Sequence, residues 1–195
     1  MMNNCLLCGV GGQGTVLASR IIASAFMEKG LFARTAETIG MAQRGGSVVS
    51  HVRVGETVPS PMIPPGKADL IIAFEPSEAV RNLSFLRKDG TVVLCDRPIY
   101  AVMSSLSGEK YDARESVAYI KSTIERCYAI SGDEVERTFG FMKVLNVVLL
   151  GASAGSGALG LTRAELEAAV VKKVKPEFLE MNKRALAFGF ESIGG

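Results

Sequence analysis

The chain has 195 residues, with 22 Lys and Arg against 20 Asp and Glu and a 48 % hydrophobic fraction. A net charge of +2 without a basic cluster gives no footprint for nucleic acid, and no apolar run reaches the roughly 18 residues that cross a bilayer. The length suits one domain, residues 1–195, and a mean hydropathy of +0.25 points to a buried protein interface.

The start of the chain lacks the basic residues and unbroken apolar segment of a secretory signal, so a cytoplasmic location is expected. A first strand is predicted over Asn4 to Cys8, followed by Gly9-Val10-Gly11-Gly12-Gln13-Gly14 and a helix from about Gly12 to Glu28. Strand, glycine-rich turn and helix in that order place backbone N–H groups at a positive helix N-terminus, which suits an anion. A second strand is expected at Phe32 to Ala36, and then Met41-Ala42-Gln43-Arg44-Gly45-Gly46 adds a further glycine pair and an arginine. From Gly46 to Val54 the chain alternates, with Val48, Ser50, Val52 and Val54 on one face and Ser47, Val49, His51 and Arg53 on the other. That pattern predicts a half-buried strand, paired as a hairpin through Gly55 and Glu56 to Val58.

Prolines 59, 61, 64 and 65 force a loop. Asp69 to Phe74 and Thr91 to Cys95 are almost continuously apolar, as central parallel strands are, and a short helix starts between them at Pro76. Asp112 to Cys127 has apolar residues at helical spacing, with an edge strand expected at Tyr128 to Ser131. Gly140 to Leu150 reads as a strongly apolar, buried helix, and Gly151 to Gly160 as a small-residue loop or helix end. Thr162-x-x-Glu165 is a capping box that opens a helix to about Val174, and Pro176 restarts a last helix through Phe188. The fold class expected is three-layer α/β/α, with a mainly parallel Rossmann-like sheet, strand one central, and a β-hairpin excursion at Gly46 to Val58.

The usual catalytic engines are missing. Gly9, Gly11 and Gly14 fit a dinucleotide fingerprint, and Gly9-x4-Gly14 has phosphate-loop spacing, but Thr15 stands where that loop needs lysine. Glu37 resembles the acidic residue that holds a ribose in dinucleotide folds, or it pairs with Arg34 or Arg44. His51 is the sole histidine and has no evident nucleophile beside it, so it is a weaker candidate. Glu75, at the end of a central strand, either faces a ligand or caps the next helix. Cys5-x-x-Cys8 has metal-ligand spacing, yet positions three apart on a strand face opposite ways. No metal site, iron–sulfur cluster or structural zinc is therefore expected, and no catalytic residue is assigned.

Taken in order, Gly9-Val-Gly-Gly-Gln-Gly14, Glu37-x-x-Gly-Met-Ala-Gln-Arg-Gly-Gly-Ser-Val48 and His51-Val-Arg53 resemble the gamma-type subunits of 2-oxoacid:ferredoxin oxidoreductases. Ser60-Pro61-x-Ile63-Pro64, Ala68-Asp69-x-x-x-Ala73-Phe74-Glu75-Pro76 and Asn146-Val-Val-Leu-Leu-Gly151 extend the resemblance over nearly the whole chain. Within the family it is most similar to the beta-subunit branch of the indolepyruvate-specific enzymes.

The resemblance implies a subunit of a complex that oxidatively decarboxylates a 2-oxoacid, transfers the acyl group to coenzyme A and reduces ferredoxin. Thiamine diphosphate and iron–sulfur clusters would sit on an alpha subunit, leaving this chain free of cofactor and inactive alone. The sequence agrees in lacking a Gly-Asp-Gly motif and a cysteine cluster. Gly9, Gly11, Gly12, Gln13, Gly14, Glu37, Gln43, Arg44, Gly45 and Gly46 are then candidates for a loop that touches the partner or a phosphate of coenzyme A. Otherwise they are turns that the fold requires. A free-standing NAD(P)-binding oxidoreductase, a gamma subunit for pyruvate or branched-chain oxoacids, and a regulatory scaffold are the alternatives. Self-association of the isolated chain is also expected, through the surface its partner would cover.

Overall fold

The computed structural model describes residues 3–39, 45–99 and 112–194. These form one six-stranded sheet in the order β2-β3-β1-β4-β5-β6, with strands β1 (Asn3–Val10), β2 (Phe32–Ile39), β3 (Ser47–Gly55), β4 (Ala68–Ala73), β5 (Leu86–Cys95) and β6 (Arg126–Ile130). Among the described residues the helices are α1 (Thr15–Glu28), α2 (Pro76–Asn82), α3 (Ala113–Thr123), α4 (Gly132–Phe139), α5 (Leu145–Gly155), α6 (Arg163–Lys173) and α7 (Leu179–Gly194). Strands β1, β4, β5 and β6 are mutually parallel. β3 runs against both β1 and β2.

The three-layer α/β/α expectation holds, with β1 inside the sheet. Period-two alternation splits the core. Cys5 and Leu7 point to the layer that contains α1, α5, α6 and α7, while Leu6 and Cys8 point to the layer of α2 and α3.

The hairpin excursion is placed differently. β3 does not turn back through Gly55 onto Val58; its antiparallel partners are β1 and β2, so residues 32–55 are the inserted unit. The predicted faces of this strand are correct, yet both are covered rather than one. Val48, Val52 and Val54 lie buried on the α1 side, and His51 and Arg53 are 2 % and 7 % exposed on the other. The proline-rich segment supplies that cover. Arg53 Nη1 donates to the carbonyls of Ser60 and Met62, and the Ile63 N–H donates to His51 Nδ1 at 3.2 Å. Antiparallel alternation indicates one buried face only where nothing lies over the other.

Other boundaries moved for local reasons. β2 continues to Ile39 and β5 begins at Leu86 because each is carried by a ladder beyond its apolar stretch. The expected helix from Gly140 is interrupted: α4 ends at Gly140, which has φ +79°, and a 3-10 turn at Met142–Val144 leads into α5. α5 runs on through Gly151 and Gly155 because it crosses α7 with almost no gap. A Cβ at Gly151 would stand 2.1 Å from the Leu186 carbonyl oxygen, and one at Gly189 would stand 1.9 Å from that of Val148. No single helix among the described residues is long and apolar enough to cross a membrane; the apolar α5 is spent on this interior crossing.

Candidate functional site

The carboxyl ends of β1, β4 and β5 open onto a cleft of about 730 Å³, walled by the Gly11–Gly14 loop, by Cys95 to Ile99, and by Gly140 to Asn146. Parallel α/β sheets present ligand sites at this edge because the turns into the helices gather there.

The first glycine stretch is held by its own glutamine. Gln13 Oε1 accepts the Val10 N–H at 2.7 Å and its Nε2 donates to the Phe74 carbonyl at 2.8 Å, so the side chain clamps β1 to β4. Gly9 makes room for that clamp, since a Cβ there would lie 2.7 Å from Gln13 Oε1 and 2.8 Å from Phe74 Cβ. Gly12 and Gly14 take positive φ values of 105° and 83°, a conformation that costs other residues strain. A Cβ at Gly12 meets nothing within 4 Å, so the backbone there faces open space. Gly14 starts α1 without a side-chain cap, which leaves the first amides of the helix in need of an acceptor.

The second stretch meets the first. The Gly11 N–H donates to the Gly46 carbonyl at 2.8 Å, and the Gly45 N–H reaches the Gly11 carbonyl at 3.4 Å. Because β3 is antiparallel, its first residues sit beside the last residues of β1. Gln43 and Arg44 lie outside the described residues.

Three candidates are placed away from the cleft wall. Glu37 lies within β2, opposite Ser50 of β3. A dinucleotide fold needs its acidic residue on the strand next to β1, and here β3 intervenes, which moves Glu37 about 10 Å across the sheet. Arg34 is three residues away on the same strand and so faces the other side, which removes it as the partner of Glu37. His51 is buried against Phe85, with ring centroids 5.7 Å apart, and holds the proline-rich segment. Burial pulls its pKa below the usual value, so it is neutral at physiological pH. Glu75 is fully buried and caps α2, its Oε2 accepting from the Glu78 N–H at 3.0 Å and the Ser77 hydroxyl at 2.6 Å. The backbone amide of Ile99, on the cleft wall, also lies against its carboxyl. Burial outweighs the Ser77 hydroxyl and Glu78 amide and raises its pKa.

The cysteines are divided by the sheet, Cys5 and Cys95 on one side, Cys8 and Cys127 on the other. Burial pushes the Cys5 and Cys8 thiols well up and Cys95 to about 11. Such thiols are poor metal ligands and poor nucleophiles, and the set does not converge on a cluster.

The cleft also contains residues that sequence reasoning passed over. Arg97 Nη1 pairs with Glu136 Oε2 at 2.5 Å on one wall, Lys143 lines the other, and Asn146 closes the floor beside Gly14. The signal for Asn146 was present, a lone carboxamide inside the most apolar helix of the chain. A second, mostly apolar cavity of about 490 Å³ adjoins the cleft through Phe141, Lys143 and Asn146 and extends to Leu17, Phe178 and Met181. The cleft thus presents the backbone of the glycine loop, Lys143, an Arg97–Glu136 ion pair and an apolar annex.

Residues 4–192 match the pyruvate ferredoxin/flavodoxin oxidoreductase family. The chain is 38 % identical over 197 residues to the indolepyruvate oxidoreductase subunit IorB of Archaeoglobus fulgidus, covering 100 % of this chain and 98 % of that one. In fold it is similar to the gamma subunit of a keto/oxoacid ferredoxin oxidoreductase from Geobacter sulfurreducens, with a TM-score of 0.71 at 21 % identity over 99 % and 97 % of the two chains. It is also similar to 31 % of the chain of the 2-oxoglutarate:ferredoxin oxidoreductase of Magnetococcus marinus, solved with 2-oxoglutarate, coenzyme A and succinyl-CoA bound. That match has a TM-score of 0.64 at 19 % identity and covers 98 % of this chain.

Proposed function

The chain belongs to the pyruvate ferredoxin/flavodoxin oxidoreductase family, and from that premise we propose that it is the small, single-domain subunit of an indolepyruvate- or arylpyruvate:ferredoxin oxidoreductase. The complex oxidatively decarboxylates the 2-oxoacid, transfers the acyl group to coenzyme A and passes the electrons to ferredoxin. Thiamine diphosphate and the iron–sulfur clusters belong to the alpha subunit and supply the decarboxylation and electron-transfer chemistry. This chain contributes a binding surface, with the paired glycine stretches brought close to the partner or to a phosphate of coenzyme A.

The observation that carries the reading is the end-to-end identity to an IorB subunit of matching length. The site agrees with it. Its cleft is lined by the backbone of the glycine loop and by Arg97, Glu136 and Lys143. A nicotinamide-dependent oxidoreductase is disfavoured by the strand inserted between β1 and Glu37. Specificity for pyruvate or a branched-chain oxoacid is the competing version of the same reading.

Co-expression with the thiamine-dependent large subunit tests the assignment. The two chains are expected to co-purify as one complex, and the small chain alone to bind no NADH or NADPH and to self-associate through its uncovered partner face. Tight nicotinamide binding by the small chain without a partner overturns it.

A further inference from the structure

Glu78 is the third residue of α2 and is 2 % exposed, so its carboxylate needs partners to stay buried. Its Oε2 accepts from the Ser47 hydroxyl and its Oε1 from Arg81 Nη1, each at 2.5 Å. Arg81 stands about one turn along the helix and is largely exposed, an ordinary pair of a helix surface. Ser47 is a different kind of partner, 31 residues away in the chain. It is the first residue of β3 and lies opposite Val10, the last of β1. β1 separates β3 from β4, and α2 leads off from β4. The bond therefore passes over the carboxyl end of β1.

One end of that bond is the glycine junction. Ser47 directly follows Gly45 and Gly46, whose backbone exchanges hydrogen bonds with Gly11. Gly12 and Gly45 take positive φ values of 105° and 77° and have no side chains to pack, so neighbours must hold the junction in place. The other end is fixed. The Glu78 N–H donates to Glu75 Oε2 at 3.0 Å, and its carbonyl accepts from Asn82 Nδ2 at 2.8 Å. Glu75 also lies against the Ile99 amide of the opposite cleft wall, so the first turn of α2 braces both sides. An acid that served only the positive end of α2 could do so from solvent; the contact with Ser47 is what draws Glu78 inward.

We infer that Glu78 is a positioning residue for subunit assembly: through Ser47 it sets where the paired glycine stretches present their backbone to the large subunit. This rests on the reading of those stretches as a contact with the partner. Ser47 is exposed while Glu78 is not, so Glu78 acts on that surface only through the hydroxyl it holds.

The test measures Kd for the large subunit, well below every Tm, with the full chain as wild type, Gly12→Val, Ser47→Ala, Ser47→Thr, Glu78→Asp and the pair Ser47→Ala with Glu78→Asp. Gly12→Val reports on the glycine surface itself. Ser47→Ala removes the hydroxyl, Ser47→Thr keeps it, and Glu78→Asp keeps the charge in the first turn of α2 but is one methylene too short to reach Ser47. Ser47→Ala and Glu78→Asp are each expected to raise Kd at least fivefold, the pair no further than the worse of the two, and Ser47→Thr to stay within twofold of wild type. If Gly12→Val leaves Kd unchanged, the reading of the glycine stretches as a partner contact falls. If Gly12→Val raises Kd while Ser47→Ala and Glu78→Asp do not, the bond is only structural and this inference alone falls. A defect in Ser47→Ala with Glu78→Asp like wild type also overturns it, because Ser47 would then touch the partner itself. Losses that multiply in the pair overturn it too, since the two residues would act separately.

Discussion

Gly11 and Gly46 are joined through their backbones, the Gly11 N–H donating to the Gly46 carbonyl at 2.8 Å while the Gly45 N–H returns to the Gly11 carbonyl. Two motifs more than thirty residues apart are thereby one surface. The cause is topological: β3 runs antiparallel beside β1, which brings the start of one strand to the end of the other.

Gly12 separates fold from function within that surface. Its φ of +105° penalises any L-residue, by about 1–2 kcal/mol, but its Cβ would enter open space. Gly12→Val is expected to fold with a slightly lowered Tm and to lose affinity for the partner subunit or coenzyme A, read by thermal melts and by titration of the complex. Unchanged assembly and turnover would reduce this loop to a turn.

Gly189→Ala tests the helix crossing that backs the cleft. The new Cβ would lie 1.9 Å from the Val148 carbonyl oxygen, so α5 and α7 must separate. The expected loss is about 3 kcal/mol, the upper part of the usual overpacking range, measured by denaturant unfolding. Gly30→Ala is the control, since a Cβ there meets nothing within 4 Å and its φ of +78° adds only backbone strain.

Acid stability has an identifiable contributor at Glu165. Its carboxylate accepts from Lys29 at 2.8 Å and from the Thr162 N–H at 2.7 Å, and the Lys29 ammonium, with the capping bonds, holds its pKa down at about 2. A depressed carboxyl pKa stabilises the fold fully above its ordinary value of 4.5 and less and less as pH falls toward 2. Glu165→Gln should flatten that part of the stability profile, and Thr162→Ala should cost about 1 kcal/mol at neutral pH through the lost cap.

Glu75 should behave oppositely. Its pKa is raised by burial, so the folded state holds a proton that the unfolded state releases, and stability declines as pH rises from 4.5 through the raised value. Glu75→Gln is expected to remove this decline while preserving an acceptor for the Glu78 N–H. Urea midpoints at pH 5 and pH 8 provide the check, and an unchanged difference between them would show that Glu75 is charged throughout.

Much of this was legible in the residues, for stated reasons. Continuous apolar runs marked β4 and β5 as buried parallel strands, alternation assigned both faces of β3 correctly, and Thr162-x-x-Glu165 marked the start of α6. What alternation could not convey was that Ile63 and the proline-rich segment cover the second face, because such cover comes from a distant part of the chain. His51, on the more polar face of the alternation, is therefore a structural interior acceptor. The helical insertion at α4 was missed because Gly132–Phe139 is polar on most of its surface and lacks a long apolar period. The glycine loops were visible as motifs, whereas Asn146 entered the cleft only through the tertiary placement of α5 against α1.

The most direct measurement is ferredoxin reduction with indolepyruvate and coenzyme A by the large subunit alone, this chain alone, and the two assembled, with phenylpyruvate, pyruvate and 2-oxoisovalerate beside it. No turnover is expected from this chain alone, full turnover only on assembly, and the highest kcat/KM for the arylpyruvates. Turnover of any 2-oxoacid by this chain alone, or full activity of the large subunit without it, would contradict the account.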